Sequence, residues 1–411
     1  MARLSVAKDR IKVVLLEGVH ASARDVFRAH GYENVELVSG ALDGAALQAR
    51  LTDAHIVGIR SRTKLTAPLI AAAERVFCIG CFCIGTNQVD LQAAKLSGIP
   101  VFNAPYSNTR SVAELVIGEI IMLARRVPEK SAQAATGHWR KDVSGAREIR
   151  GKTLGIIGYG HIGSQVSVLA EGLGMHVRYF DIVDKLALGN AQPCPNLDAL
   201  LAEADVVTLH VPATPATRGM IGRDALARMK PGAVLINAAR GDVVDVEALA
   251  EALRAGHLAG AAVDVFPSEP AGEDDPFTSP LQGIPNVILT PHIGGSTEEA
   301  QASIGREVAE KLVRYSDNGS TVGAVNFVEV SLPVQAGMTR FLHIHRNVPG
   351  VLAAVNRVFS ARALNIAGQY LRTDADVGYV VSDISGDLAE GMGVRRELSA
   401  IEGTIRVRFL Y

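Results

Sequence analysis

Three side chains suited to moving a proton and holding a carboxylate follow, in order, the ends of short apolar runs. Arg240 closes Val234-Leu-Ile-Asn-Ala-Ala-Arg-Gly241, Glu269 lies in Val263-Asp-Val-Phe-Pro-Ser-Glu-Pro270, and His292 lies in Thr290-Pro-His-Ile-Gly-Gly295. Open α/β sheets bind ligands beyond the carboxyl ends of their strands. A guanidinium at such a place can grip a carboxylate through its planar fork and polarise the neighbouring carbonyl. An imidazole can take a hydroxyl proton while hydride leaves carbon, and return it in the reverse direction. A carboxylate beside the imidazole raises its pKa and fixes its orientation, which requires Glu269 and His292 to lie within hydrogen-bond reach. A structural ion pair for Arg240 and a plain loop role for His292 are the alternatives.

Hydride needs an acceptor, and Leu154-Gly-Ile-Ile-Gly-Tyr-Gly-His-Ile-Gly163 carries the signature of a dinucleotide site, an apolar strand feeding glycines and then a helix. Gly158 suits the tight turn, Gly160 the approach of backbone to a pyrophosphate, and Gly163 the packing of helix on strand, with His161 and Ile162 opening the helix. About 20 residues on, Asp181 ends a second strand where a ribose-binding carboxylate belongs. It favours NAD over NADP, although Lys185 is close in sequence. His210, Ala238, Ala239, Gly294 and Gly295, at or near later strand ends, complete the expected cofactor contacts.

Short apolar runs at Val13–Leu16, Val35–Val38, Ile56–Ile59 and Val76–Ile79 alternate with amphipathic stretches, the pattern of βα units on a parallel sheet. The nucleotide fold is therefore inserted after a first α/β domain. It contributes six strands, Leu154–Ile157, Val177–Phe180, Val206–His210, Val234–Asn237, Ala261–Asp264 and Val287–Thr290. Ser111-Val-Ala-Glu114 has the form of a capping box opening a helix to Arg125. Because that helix is apolar nearly all round, it must be buried on several sides, and we expect a subunit contact in preference to a purely internal helix packed between domains.

Beyond a linker near Ser331–Gly337, a candidate hinge, the last 75 or so residues follow a βαββαβ order, which predicts a ferredoxin-like module whose last helix is weakened by Gly391 and Gly393. Cys78, Cys81 and Cys83 crowd one strand-like run, but no fourth ligand sits at metal-site spacing, so they read as core.

The chain has 411 residues, a net charge of −2 and 48% hydrophobic residues. That length calls for two or three domains. The charge balance argues against nucleic acid or a membrane surface as partner, and no apolar run is long enough to span a bilayer, so a cytoplasmic protein is expected.

The glycine loop, Asn237-Ala-Ala-Arg-Gly241, Asp264-Val-Phe-Pro-Ser-Glu-Pro270 and Pro291-His-Ile-Gly-Gly295, in this order, resemble the D-2-hydroxyacid dehydrogenase family over nearly residues 10 to 335. The resemblance implies that Arg240 binds the substrate carboxylate, Glu269 and His292 relay the proton, Asp264 contacts the nicotinamide end, and NAD is the cofactor. It implies two doubly wound parallel-sheet domains, substrate-binding over 1–107 and 296–336 and NAD-binding over 108–295, followed by an ACT domain over 337–411.

Gly80–Asp90, Phe102–Ser111 and the appended module are similar to the branch of the family that oxidises 3-phospho-D-glycerate. That similarity implies feedback by L-serine through His345, Asn347 and Asn365. The apolar helix at Ser111–Arg125 and the terminal module each suggest a symmetric contact, and two such contacts would build a homotetramer. Arg60, Ser61 and Arg62, with Asn108 and Lys141, are the expected phosphate contacts. Hydroxypyruvate, glyoxylate or 2-oxoglutarate reduction and an NADH-sensing interaction protein are the rival readings.

Overall fold

A computed structural model of the chain describes residues 6–270, 275–385 and 391–410. The chain divides into two compact units, Met1–Ser107 with Gln301–Tyr411, and Asn108–Ala300. Among the described residues no helix is long and apolar enough to cross a membrane.

In the first unit, β1 (Val13–Leu15), β2 (Val35–Leu37), β3 (Ile56–Ile59), β4 (Cys78–Cys81) and β5 (Val101–Asn103) form a parallel sheet in the order β2-β1-β3-β4-β5. Helices on both faces bury its central strands, which explains their unbroken apolar runs. Cys78 and Cys81 are buried in β4, and burial pushes the Cys78 thiol up to about 12, so it packs as a small hydrophobe.

The second unit carries β6 (Thr153–Ile157), β7 (His176–Phe180), β8 (Gln192–Pro193), β9 (Val206–Leu209), β10 (Ala233–Asn237), β11 (Leu258–Val263) and β12 (Val287–Leu289). Their order is β12-β11-β10-β9-β6-β7-β8, all parallel. The direction of winding reverses between β6 and β9, the crevice where such sheets take ligands. Seven strands stand where the sequence suggested six. The seventh, β8, has two residues and ends in proline, too little to leave an alternating pattern.

The capping box is not formed. The helix runs Thr109–Ala124, its N-cap is Asn108, and the Ser111 hydroxyl lies 2.8 Å from Thr297 Oγ1 instead. Glu114 pairs with Arg110. An N-cap three residues earlier than expected puts Ser111 inside the first turn, where its backbone is already helical. Within one chain the helix buries Val112, Ala113, Val116, Ile120 and Leu123 in a cluster with Leu154, Ile156 and Ile236 of the sheet.

The last part of the first unit is a second sheet of β13 (Thr339–Arg346), β14 (Asn365–Thr373), β15 (Val377–Ser385) and β16 (Thr404–Leu410), antiparallel in the order β14-β15-β13-β16. Helices Val351–Ala361 and Gly391–Ala400 supply Val355, Phe359, Val394 and Leu398 to one apolar cluster. Leu342, Ile344, Tyr379 and Val381 join Phe77, Phe102 and Tyr315 of the first sheet's core. Gly391 and Gly393 do not prevent the last helix.

Arg340 crosses this junction almost fully buried. It makes a two-pronged pair with Asp383 at 2.6 Å for each prong and donates to the carbonyls of Asn318, Leu332 and Pro333. Removing one partner strands a buried charge. Asp383→Ala should therefore cost about 3–5 kcal/mol, read as an earlier denaturant midpoint, whereas an apolar replacement of both residues should cost distinctly less.

Candidate active site

β10 ends in Asn237, and the turn that follows is built by that side chain. Its amide donates to the Arg240 carbonyl at 3.0 Å and its carbonyl oxygen accepts from Ala239 N–H at 3.1 Å. Arg240 is thus presented just past the strand end, with its Nη1 on the Ala239 carbonyl at 2.6 Å. Gly241 is obligatory here, because a Cβ would stand 2.0 Å from the Phe266 carbonyl carbon. That contact presses the Arg240 turn against the segment carrying Glu269.

Asp264, at the end of β11, is buried and governs the next loop. Its Oδ1 accepts from Ile293 N–H at 2.8 Å and Thr290 Oγ1 at 2.6 Å, and its Oδ2 accepts from Gly294 N–H at 2.8 Å. The Asp264 carbonyl accepts from His292 N–H at 2.9 Å. His292 sits between these bonds with φ at 54°, the left-handed region that a non-glycine residue occupies only when its surroundings hold it there. Asp264, expected at the nicotinamide end, turns both carboxylate oxygens onto this loop.

So held, His292 donates from Nδ1 to Glu269 at 2.9 Å to Oε2 and 3.1 Å to Oε1. Phe266 N–H also donates to Glu269 Oε1 at 3.2 Å. The hydrogen bond with Glu269 raises the His292 pKa above the ordinary imidazole value, against an opposing effect of burial. Burial alone would raise Glu269, but the bond to His292, the Phe266 amide and the Arg240 charge outweigh it and hold the carboxylate low. With Nδ1 committed to Glu269, Nε2 is left to meet a substrate oxygen. The arrangement can withdraw or return one proton beside a cation that holds a carboxylate.

The glycine loop fits a dinucleotide. Gly158 has φ at 92°, and a Cβ there would lie 2.4 Å from the His210 carbonyl oxygen. At Gly163 a Cβ would lie 2.2 Å from the Gly158 carbonyl oxygen, so the helix can seat on the strand with glycine alone. Gly160 is the N-cap of helix His161–Gly172, makes no side-chain cap, and has open space where a Cβ would point. His161 is exposed, Ile162 half-buried, and the helix's first N–H groups face a site suited to phosphate.

Asp181, at the end of β7, accepts from Tyr159 N–H at 2.8 Å and Val183 N–H at 3.0 Å. Burial pushes His210 down to about 3, leaving it neutral, with Thr208 Oγ1 3.1 Å from its Nε2. Ala238 is half-buried and Ala239 buried in the Arg240 turn. A Cβ at Gly295 would meet the Asn108 amide at 2.4 Å. Among the described residues no cluster of His, Cys, Asp and Glu is arranged to hold a metal ion.

In the first unit, the loop Arg60-Ser-Arg62 is shaped by a residue that no motif marks. Buried Glu17, at φ 62°, accepts from the N–H groups of Arg60, Arg62 and Thr63 at 3.1, 2.9 and 2.8 Å. Ser61 and Arg62 are exposed and Arg60 half-buried, while Lys141 is exposed in the second unit. A carboxylate directly after the first strand and before Gly18 was the available signal for Glu17. Likewise Asn237 and Thr290 stood inside quoted motifs without a role.

The three residues expected to hold L-serine do not meet within one chain. His345 is buried, donates from Nδ1 to the Arg346 carbonyl at 2.8 Å, and leaves Nε2 without a partner. It pairs across the sheet with Gly378, and Asn347 follows two residues on, whereas Asn365 pairs with Ser385 at the other end of β15. Seven residues of strand separate the two ends, roughly 23 Å.

Residues 117–294 match the D-isomer specific 2-hydroxyacid dehydrogenase NAD-binding domain, and residues 341–406 match the AHAS small subunit-like ACT domain. Over its full 411 residues the chain is 58% identical to the D-3-phosphoglycerate dehydrogenase of Escherichia coli (strain K12), which it covers completely. The protein of that name from Dictyostelium discoideum is 47% identical over 99% of both chains. Among solved structures, D-lactate dehydrogenase from Aquifex aeolicus complexed with NAD and lactic acid has a TM-score of 0.67 at 28% identity, covering 77% of this chain and 100% of that one. The NAD-dependent formate dehydrogenase from Staphylococcus aureus in complex with NAD has a TM-score of 0.63 at 30% identity, covering 74% and 96%. With a parallel-sheet NAD fold that carries Arg240, Glu269 and His292 at its strand ends, and an ACT module behind it, the chain belongs to the D-3-phosphoglycerate dehydrogenase family of NAD-dependent oxidoreductases.

Proposed function

We propose that the protein oxidises 3-phospho-D-glycerate to 3-phosphooxypyruvate with NAD, and that L-serine inhibits it through the C-terminal module. The observation that carries the chemistry is the His292–Glu269 contact at 2.9 Å, held beside Arg240 by turns whose other hydrogen bonds are all made within the same unit. The bound nicotinamide supplies the hydride acceptor. Arg240 holds the substrate carboxylate, and His292 Nε2 takes the hydroxyl proton as the carbon loses hydride. Glu269 stabilises the imidazolium that results.

Arg60 and Arg62, with Ser61 between them, are assigned to the phosphate, with Asn108 and Lys141 as further contacts. Two cations are more than a non-phosphorylated substrate needs, which favours the phosphorylated acid over glyoxylate or hydroxypyruvate. Asp181 places a carboxylate where a 2′-phosphate would be repelled, in keeping with NAD. Reduction of 2-oxoglutarate is a side activity that the same Arg and His would support.

For L-serine, the separation of Asn365 from His345 and Asn347 favours a site completed by a second copy of the chain. The ACT module would then be one of two symmetric contacts of a homotetramer.

Replacement of His292 by Asn should lower kcat for 3-phospho-D-glycerate roughly a hundred- to ten-thousandfold, measured as NADH formation with the product trapped. Oxidation needs neutral His292, so its rate climbs as pH rises through the raised pKa. Glu269→Gln removes the group that raises that pKa, and the climb should move to lower pH while the maximal rate falls. An unchanged profile would mean that Glu269 does not act on the imidazole. Arg62→Ala should raise KM for 3-phospho-D-glycerate by roughly ten- to a hundredfold, the worth of a lost charge-assisted contact, and leave hydroxypyruvate reduction nearly untouched. If both substrates suffer alike, the phosphate is held elsewhere.

A further inference from the structure

Three backbone N–H groups of the loop Arg60–Thr63 converge on one point, and the group at that point is a carboxylate of the chain itself. Glu17 Oε1 accepts from Arg60 N–H at 3.1 Å and Thr63 N–H at 2.8 Å, and Oε2 accepts from Arg62 N–H at 2.9 Å. Converging N–H groups of this kind form a concavity, or nest, that holds anions, phosphate among them. Here the nest is filled from within, by a residue that is only 5% exposed.

Filling it strains the main chain. Glu17 takes a φ of 62°, and Gly18 after it a φ of 61°. A residue with a β-carbon stays in that region only when its surroundings hold it there. The holding is done by Glu17 N–H on the Gly40 carbonyl at 3.0 Å and Gly18 N–H on the Val38 carbonyl at 2.9 Å. On the other side of the loop, buried Gln88 donates from Nε2 to the Arg60 carbonyl at 2.6 Å and to the Gly85 carbonyl at 3.1 Å. The main chain of Arg60 is therefore gripped at its N–H by one residue and at its carbonyl by another.

Both carboxylate oxygens take N–H groups, and among the described residues no guanidinium pairs with them. Arg60 Nη1 meets the Glu17 carbonyl instead, at 3.5 Å, and Arg62 is exposed. An incoming phosphate cannot enter the nest and bond to the backbone, because an anion is already there. It must be met by the arginine side chains, whose main-chain positions the nest has fixed.

We propose that Glu17 is a resident anion that positions Arg60 and Arg62 for the substrate's phosphate, and so sets the preference for a phosphorylated acid without touching it. This rests on the assignment of the two arginines to the phosphate given above. The two oxygens divide the work in a way that separates this role from general folding. Oε2 serves Arg62 alone, whereas Oε1 serves Arg60 and Thr63. A glutamine keeps one acceptor and turns an amide NH2 toward the other donor, and it retains more bonds with its oxygen in the Oε1 place. Glu17→Gln therefore releases the Arg62 backbone first. Glu17→Ala removes a methylene and a carboxylate, together the shape of acetate, and leaves the nest open to that ion.

The test is made on the full-length protein, comparing oxidation of 3-phospho-D-glycerate with reduction of hydroxypyruvate. Glu17→Gln should raise KM for 3-phospho-D-glycerate roughly tenfold, the worth of one misplaced charge-assisted contact, with kcat and hydroxypyruvate reduction within about twofold of wild type. Added to Arg62→Ala it should change little more, because two substitutions that remove the same interaction are not additive. In Glu17→Ala, acetate at about 50 mM should lower the raised KM roughly threefold or more by filling the nest, which sodium chloride at the same ionic strength should not do. In the wild type, whose nest is full, acetate should only compete with substrate. Glu17→Gln is nearly isosteric and carries the test if Glu17→Ala does not fold. A Glu17→Gln loss that adds in full to that of Arg62→Ala, or that hydroxypyruvate shares equally, would overturn the proposal. So would a Glu17→Ala protein that reduces hydroxypyruvate normally and gains nothing from acetate. An Arg62→Ala protein with unchanged KM would instead sink the phosphate assignment beneath it, and that single variant tells the two failures apart.

Discussion

The chemistry of this protein hangs on the carboxylate of Asp264. It is buried at the end of β11 and spends both oxygens on the loop that follows, accepting from Ile293, Gly294 and Thr290. The main chain is thereby forced into a left-handed turn at His292, which no β-carbon-bearing residue adopts freely. That turn lets the imidazole face Glu269 rather than continue along the strand direction. Nearby, the Asn237 side chain does the same for Arg240, satisfying the backbone of a tight turn from within. Both side chains proposed for the chemistry are therefore placed by buried polar groups that bond to the turns carrying them, a precision that packing alone would not supply.

The sheet supplies the rest by its topology. Because β9, β10, β11 and β12 run parallel on one side of the point where the order reverses, their carboxyl ends lie in a row. His210, Arg240, Asp264 and the His292 loop thus stand along one edge, facing the same side as the glycine turn after β6. Local charge then divides the labour. Burial strips His210 of its proton, whereas Glu269 gives His292 the means to hold one. One sheet edge thus carries an imidazole that burial keeps neutral and another whose carboxylate neighbour draws its pKa upward.

What the sequence made legible follows the same physics. Runs such as Val234–Asn237 and Ala261–Asp264 announced buried parallel strands, and the residues with chemistry, Arg240 and Asp264, lay at the end of a run or within three residues of it, since strand ends are where a sheet can present a side chain to a ligand. The Glu269–His292 pair was legible from chemistry alone, an imidazole needing an orienting carboxylate. Glu17 was not, because its work is to accept three backbone N–H groups from a loop more than 40 residues away, and such capping leaves no periodicity. Ser111 misled for a related reason. The spacing to Glu114 fits a capping box, but the hydroxyl had a partner in Thr297 that only the fold brings near. The two-residue β8 left no pattern at all.

Effector control of the kind proposed would place opposite demands on the C-terminal module, which must stay attached and yet transmit a small change. The two kinds of contact answer these demands separately. Apolar burial around Tyr379 and Leu342, reinforced by the enclosed Arg340–Asp383 pair, holds the module to the first sheet's core and is little screened by salt. Charges at the rim, where water can replace a lost partner, can be rearranged at little cost. A ligand of modest affinity commands only a few kcal/mol of differential binding, too little to break the first kind of contact and enough to shift the second. The ion pairs of Lys95 with Asp374 and Asp376 at the edge of the module are contacts of that second kind.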